Sequence, residues 1–314
     1  MERERGRDER RETVLTDMDE LERMAALLQA SGRYRILRRL EQQAVYNVPD
    51  ATPTRRAIIL DLETTGLDVE RDEIIEMAML PFDFDSTGRI FSVHEAFGRF
   101  RDPGRPIPAE VVALTGISDQ MVAGSFIEAA EIEAFLDGPP ICLIIAHHAA
   151  FDRRFAERLC GAFARLPWAC SWSEVPWSDE GFADGTKLGN LASACGFFHD
   201  GHRAVDDCRA ALELLSRVMP RSGRRGLDLL LESARAPRWR LRAIGAPFEL
   251  RQVLKDRGYR WDPGENGRTR AWFVDLAEGA VEAERDFLRR EIYRRDVDID
   301  ARRIDAFDRY SDRC

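Results

Sequence analysis

Apolar and polar positions along this chain repeat on two periods. Short apolar runs bounded by turn residues predict strands over 57–61, 74–84, 90–100 and 141–146, while three-to-four-residue spacing predicts helices over 109–114, 125–136, 151–164, 187–195 and 202–218. The stretch DFDSTGRI joins the second and third strands, and its Ser-Thr-Gly reads as a hairpin turn. A hairpin followed by strand–helix alternation implies an α/β fold, a mixed β-sheet flanked by helices. Upstream, Met18, Leu21, Met24, Leu27 and Leu28, then Ile36, Leu37 and Leu40, predict two short helices broken at Ser31-Gly32, and VPDATPT (48–54) reads as a linker. Downstream of a Gly/Arg-rich stretch, the pattern predicts a strand over 239–244, a helix over 247–257 stopped by Gly258, a hairpin of 259–261 with 271–275 across DPGENGR, and a helix over 281–293. Residues 296–314 alternate acids and bases and are expected to fray.

The expected organisation is an N-terminal helical segment (1–50), a principal domain (51–220), a small α+β domain (221–295) and a flexible tail (296–314). A chain of 314 residues can build a sizeable core. With 44% hydrophobic and 33% charged residues it is of ordinary globular composition. It has no apolar run of about 18 residues, and it opens with MERERGRDERRE, so neither a membrane span nor a secretory signal is expected. Its six cysteines show no CxxC pairing, which predicts reduced thiols and a cytoplasmic location; Cys208 is expected to face the core.

The net charge of −9 argues at first against a polyanionic partner. Its distribution reverses that reading. From residue 221 onward there are 22 Lys and Arg against 18 Asp and Glu, which leaves 25 against 38 before it. The acidic part is where cations would compensate, and the basic part is a candidate for nucleic-acid contact.

Four stretches carry candidate chemistry: DLETTG (61–66), LTGIS (114–118), AHHAAFD (146–152) and HRAVDD (202–207). Asp61 and Glu63 are two apart on a strand and so share a face. Asp152 opens a helix after an apolar strand, which places it at the C-terminal end of the sheet, where open α/β folds build their sites. The helix carrying HRAVDD is expected to begin near His202. A five-residue step turns Asp207 about 140° past one full turn, so His202 sits at the helix entrance and Asp207 on the buried face. Asp206 competes with Asp207, and spacing from His202 favours Asp207. Several carboxylates together suit two hard cations, Mg²⁺ or Mn²⁺, which hydrolyse phosphodiesters by activating water and neutralising developing charge. A neutral His202 would accept a proton from the attacking water. His147 reads as a structural hydrogen-bonding group, and Glu76, an acid inside an apolar run, as a buried hydrogen-bonded group or a partner of the site.

In order and spacing these motifs resemble those of the DnaQ-like DEDDh 3′→5′ exonucleases, over about residues 56–219. The resemblance implies an RNase H-like fold, metal ligation by Asp61, Glu63, Asp152 and Asp207, and His202 as general base. It implies that Thr64, Thr65, Gly66 and Leu67 lie along the terminal nucleotide, with backbone amides near its 3′-hydroxyl, and that Leu114 and Thr115 line the same groove. One departure is His148, which stands where the family usually has Asn. The expected partner is nucleic acid with a free 3′ end, within a DNA polymerase or repair complex. DNA, single-stranded in preference, is placed before RNA, and a non-catalytic module that binds 3′ ends or a polymerase is the reading from another class. The motifs leave the oligomeric state open. The tail interleaves Trp239, Tyr259, Trp261, Trp272, Phe273 and Tyr293 with arginines; such residues build small cores and also stack bases.

Overall fold

The computed structural model describes residues 19–264, 267 and 269–313. Met18, Cys314 and, from the expected turn, Glu265, Asn266 and Arg268 lie outside the described residues. Helix α1 covers residues 19–30, and Leu21, Met24, Leu27 and Leu28 on it are exposed. The second expected helix is instead extended. Strand β1 (Arg38–Arg39) pairs in parallel with the short strand Phe197–Phe198, and Leu40 packs on the core beside it. Three apolar residues are too few to select a helix, and the open backbone at 196–198 captures the segment through ladder hydrogen bonds.

The central strand is β2 (Arg55–Thr64), antiparallel to β3 (Ile74–Phe84) and parallel to β6 (Ile141–Ala146). Strands β4 (Ile90–Val93) and β5 (Phe97–Phe100) both pair with β3, and β7 (Trp168–Cys170), not foreseen in the pattern, pairs in parallel with β6. The expected single strand 90–100 is thus two. The break faces Pro81, whose carbonyl accepts from the His94 amide at 2.9 Å but which has no N–H to return.

Helices cover both faces. Helices α2 (Ala109–Thr115), α3 (Asp119–Val122) and α4 (Ala129–Leu136) precede β6; α5 (Ala149–Leu159), α6 (Ser171–Glu174), α7 (Leu188–Ala194), α8 (Ala204–Ser216) and α9 (Gly226–Arg235) follow it, with the strand Phe197–Phe198, β8, before α8. The predicted helix 151–164 starts two residues earlier and stops at Leu159, a 3₁₀ turn following at Gly161–Arg165. The one predicted over 125–136 begins only at Ala129. One core, with Ala57 and Ile59, lies under α8 and α9; the other, with Ile58, Leu60 and Leu62, lies under α5. Helix α9 therefore packs into the first domain's core through Leu227, Leu230 and Leu231, although it falls beyond the boundary expected at 220.

The C-terminal unit is an antiparallel sheet ordered β10 (Arg260–Asp262), β11 (Ala271–Ala277), β9 (Arg238–Ile244), β12 (Asp300–Ile304). Helices α10 (Arg251–Asp256) and α11 (Val281–Phe287) cover one face, with Leu241, Leu254, Val274 and Leu288 between. The tail expected to fray supplies β12 and then docks on α5. Arg153, fully buried, donates to the carbonyls of Ala306, Phe307 and Arg309, and buried Arg309 pairs with Glu174. The alternating charges of this stretch are partners for fixed groups, among them Arg313 for Glu157 and Asp312 for Arg154, which the one-dimensional pattern cannot reveal.

Candidate active site

Alternation along β2 sends Asp61 and Glu63 to the side of the sheet covered by α8, because Ile59 on that face already packs there. Glu63 stands opposite Glu76 on β3, and the register shifts directly after it. Glu76 accepts from the Arg203 guanidinium and, at 3.0 Å, from the amide of Ala204, the first residue of α8, so it fixes where that helix begins. Cys208 lies against the sheet as expected, its thiol 3.4 Å from the Ile59 carbonyl. That contact sets the rotation of α8. Asp207 is thereby buried beside Asp61 and Glu63, while Asp206 points outward and pairs with Arg209.

The helix starts at Ala204, not at His202. His202 has φ of 64°, a left-handed conformation that no α-helical residue takes. Its amide donates to Asp207 Oδ2 at 2.8 Å, and its side chain is exposed. The other oxygen of Asp207 meets His199 Nε2 at 2.7 Å. Sequence reasoning missed His199. Its only trace is a second histidine three residues before His202 in HDGHRAVDD, with no periodicity to mark it.

Parallel pairing of β6 with β2 brings the C-terminal ends of both strands together, and α5 begins there. Asp152, in its first turn, is buried against the backbone of Leu62 and His148. His147 holds the turn, with one ring nitrogen 2.8 Å from Ser171 Oγ and the other 2.9 Å from the Thr186 carbonyl. Burial lowers its pKa to about 4, so it is a neutral structural group.

Four carboxylates from three segments of chain, β2, α5 and α8, thus converge, and their electrostatics follow. Burial, then the charges of Asp207 and Asp152, push Asp61 well above the ordinary carboxylate range. Burial, then Asp207 and Glu76, raise Glu63 to about 8; burial also raises Asp152 to about 8, against the pull of neighbouring amides. Like charges crowded in a partly dry site are unstable unless protonated or neutralised. Carboxylate oxygens of Glu63 and Asp207 and a ring nitrogen of His202 lie within 4.8 Å of one another; the two carboxylates are oxygen donors of the kind a hard divalent cation takes, with the imidazole beside them.

The expected substrate residues divide. Leu67 and Leu114 are exposed, as a contact with a nucleotide requires. Thr115 is buried, its hydroxyl donating to Val111 and accepting from Ile117, so it shapes the turn and does not line the groove. The Thr64 hydroxyl donates to the Gly66 carbonyl at 2.6 Å. The Thr65 amide donates to Glu73 and its hydroxyl joins Asp72 and Arg105, so that amide is not available to a ligand. A Cβ at Gly66 would lie 2.4 Å from Asp72 Oδ2, so a larger residue must displace that carboxylate from its bonds to Thr65, Asp68 and Arg105. His148 occupies the N-cap of α5 without capping it; its ring stacks on Phe151 at 6.1 Å and meets the edge of Trp172 at 4.5 Å. With Phe151 and Trp172 it forms an aromatic rim.

The Exonuclease (RNase_T) family profile matches residues 58–215, just over half the chain. The chain is 29% identical over 161 residues to a "DNA polymerase III PolC-type" of Clostridium perfringens (strain 13 / Type A), covering 50% of this chain and 11% of that protein. To the one from Bacillus subtilis (strain 168) it is 29% identical over 185 residues, covering 54% and 12%. It thus spans about a tenth of the length of these relatives. Among solved structures it is similar to Exonuclease X in complex with 5′ overhanging duplex DNA (24% identity, TM-score 0.40, 56% of this chain and 99% of that one). It is also similar to E. coli Exonuclease I in complex with a 5cy-dT13 oligonucleotide (16%, TM-score 0.48, 73% and 66%). The profile match, over the same segment that carries the convergent carboxylates, places this chain in the exonuclease family, as a DnaQ-like member of the RNase H-like superfamily.

Proposed function

We propose that this protein is a metal-dependent 3′→5′ exonuclease that releases nucleoside 5′-monophosphates from DNA 3′ ends, single strands in preference. The observation that carries the reading is the convergence of Asp61, Glu63, Asp152 and Asp207 beside His202. A binding module has no need of four carboxylates that raise one another's proton affinity. In this reading the four carboxylates hold two Mg²⁺ or Mn²⁺ ions, which when bound neutralise charge on the phosphodiester and acidify water. His202 then accepts the proton of the attacking water at its exposed ring. The hydrogen bond that its backbone N–H donates to Asp207 fixes the backbone that carries the ring, and His199 holds the far oxygen of the same carboxylate. Leu67 and Leu114 present apolar surface to the terminal base and sugar, and the His148, Phe151 and Trp172 rings offer stacking surface. DNA is placed before RNA because the curated relatives are named as DNA polymerases, which also suggests a polymerase or repair complex as the setting.

The test is a time course on end-labelled DNA and RNA, single- and double-stranded, with Mg²⁺, Mn²⁺ or EDTA. Stepwise loss of mononucleotides from the 3′ end, abolished by EDTA, is expected. Internal cleavage, release from the 5′ end, or turnover in EDTA overturns the reading.

A further inference from the structure

Residues 35–47 form an arm outside the segment that the exonuclease profile matches, yet the arm reaches the loop that carries His199 and His202. It is anchored first at its C-terminal end. The Ala44 carbonyl accepts from the Val93 amide at 2.9 Å and the Tyr46 amide donates to the Phe91 carbonyl at 2.8 Å, which ties the arm to β4. The Tyr46 hydroxyl donates to Glu213 of α8 at 3.0 Å. At the other end the arm meets β8, and Leu40 packs on the core under α8. There the amides of Arg38 and Leu40 donate to the carbonyls of Gly196 and Phe198 at 3.0 and 2.8 Å, and among the described residues β8 pairs with no other strand. The Arg39 guanidinium lies 5.2 Å from the centre of the Phe198 ring and pairs with Asp200 at 2.7 Å. Asp200 directly follows His199.

The loop between β8 and α8 is fixed at its two ends by different means. At the α8 end Glu76 takes the Arg203 guanidinium and the Ala204 amide. At the β8 end it is β1 that holds the strand. Between them Asp200, Gly201 and His202 are exposed, and two hydrogen bonds tie the loop to Asp207, one from His199 and one from the His202 amide. A non-glycine residue at a φ of 64°, as His202 is, persists only where its surroundings hold it. An exposed loop with few apolar contacts opens readily. We propose that the arm is a positioning element for this loop: β1 and Arg39 hold Phe198 and Asp200, and thereby keep His199 on Asp207 and the His202 ring beside the carboxylates. What this does for hydrolysis rests on the exonuclease reading above; the holding of the loop does not.

Hydrogen–deuterium exchange of the full chain in EDTA, read at the amides of residues 199–204, decides the matter for wild type, Arg38→Ala, Arg38→Pro, Arg39→Ala and Arg39→Lys. Both arginine side chains are well exposed, so the fold is retained, which melting curves check. Arg38→Ala and Arg38→Pro lose the same side chain and its pair with Glu22, but only proline removes the amide that donates to Gly196. Exchange should therefore quicken by about three- to tenfold in Arg38→Pro, the worth of one backbone hydrogen bond, and stay near wild type in Arg38→Ala. Arg39→Ala should quicken it by about two- to fivefold, and Arg39→Lys, which keeps the charge, by less. In turnover assays the Arg38→Pro/Arg39→Ala variant should lose about threefold or more in kcat, with oligonucleotide affinity in EDTA unchanged. Equal exchange in Arg38→Pro and Arg38→Ala overturns the proposal, as does exchange that quickens equally throughout α8, or an unchanged kcat in the double variant of an active enzyme. Because exchange is read without metal or turnover, a loop that loosens in this way in a protein whose wild type hydrolyses nothing overturns the exonuclease reading alone.

Discussion

The two sheets of this protein arrange charge in opposite ways. At the end of β2, Asp61, Glu63, Asp152 and Asp207 crowd together, and Arg203, whose guanidinium acts on Glu63, is already engaged by Glu76. On the C-terminal sheet Asp275 lies between Arg240 and Arg260, and Asp262 meets Arg242. Opposite charges laid in register across a sheet stabilise it modestly and need nothing further. Like charges buried together impose a cost that only protons or cations remove. The first arrangement is therefore one that protons or cations relieve, and the second a surface complete in itself.

The contrast can be broken most sharply at Asp61. Asp61→Asn keeps the shape and removes one of the crowded charges. Hydrolysis should fall by about 10³-fold or more, since several kcal/mol of cation-mediated stabilisation is lost. The metal-free protein should melt no lower than wild type. A melting temperature well below wild type would show that Asp61 stabilises the fold, and the contrast would fail. Next, His202→Ala should reduce kcat by about 10²- to 10⁴-fold, as expected for a general base, with oligonucleotide affinity in EDTA unchanged. An unaltered pH–rate profile would remove His202 from that role.

His199→Ala leaves Asp207 held only by the His202 amide and should reduce activity or metal affinity by about 10- to 100-fold, the usual range for a residue that orients a ligand. His199→Gln, which keeps a donor, should recover part of the loss. If both variants retain wild-type metal titration curves, His199 is only a packing residue. The smallest effect concerns pH. Glu63 and Asp152 keep protons up to about pH 8 in the folded chain and lose them near pH 4 when unfolded, so the metal-free fold loses stability as pH rises across that window. Mg²⁺ should then raise the melting temperature more at about pH 8.5 than at about pH 6. Equal shifts at both pH values would mean the carboxylates are not coupled as described.

Much of the site was legible because its rules are local. A step of two residues on a strand puts Asp61 and Glu63 on one face, and an apolar run followed by a helix start places Asp152 at the sheet's end. The choice of Asp207 over Asp206 rested on spacing, and the thiol of Cys208 on the Ile59 carbonyl supplies the physical reason. Other features depend on chain segments far apart and were not legible. His199 reaches Asp207 only because the loop before α8 turns back through the left-handed His202. The Trp172 ring reaches His148 only after β7 has paired with β6. Thr115 reads as a groove residue until the turn buries it.

The amino-acid sequence by itself determined the order of strands and helices, the four carboxylates and the histidine beside them, because periodicity and motif spacing act within a few residues. Only the tertiary structure decided that residues 296–313 are an edge strand and an anchored segment, that α9 belongs to the first core, and that the arginines of β9 and β10 face a cleft. In each case the deciding contact joins residues distant in the chain. Arg153 finds its acceptors at Ala306 to Arg309, a closure that no local pattern encodes.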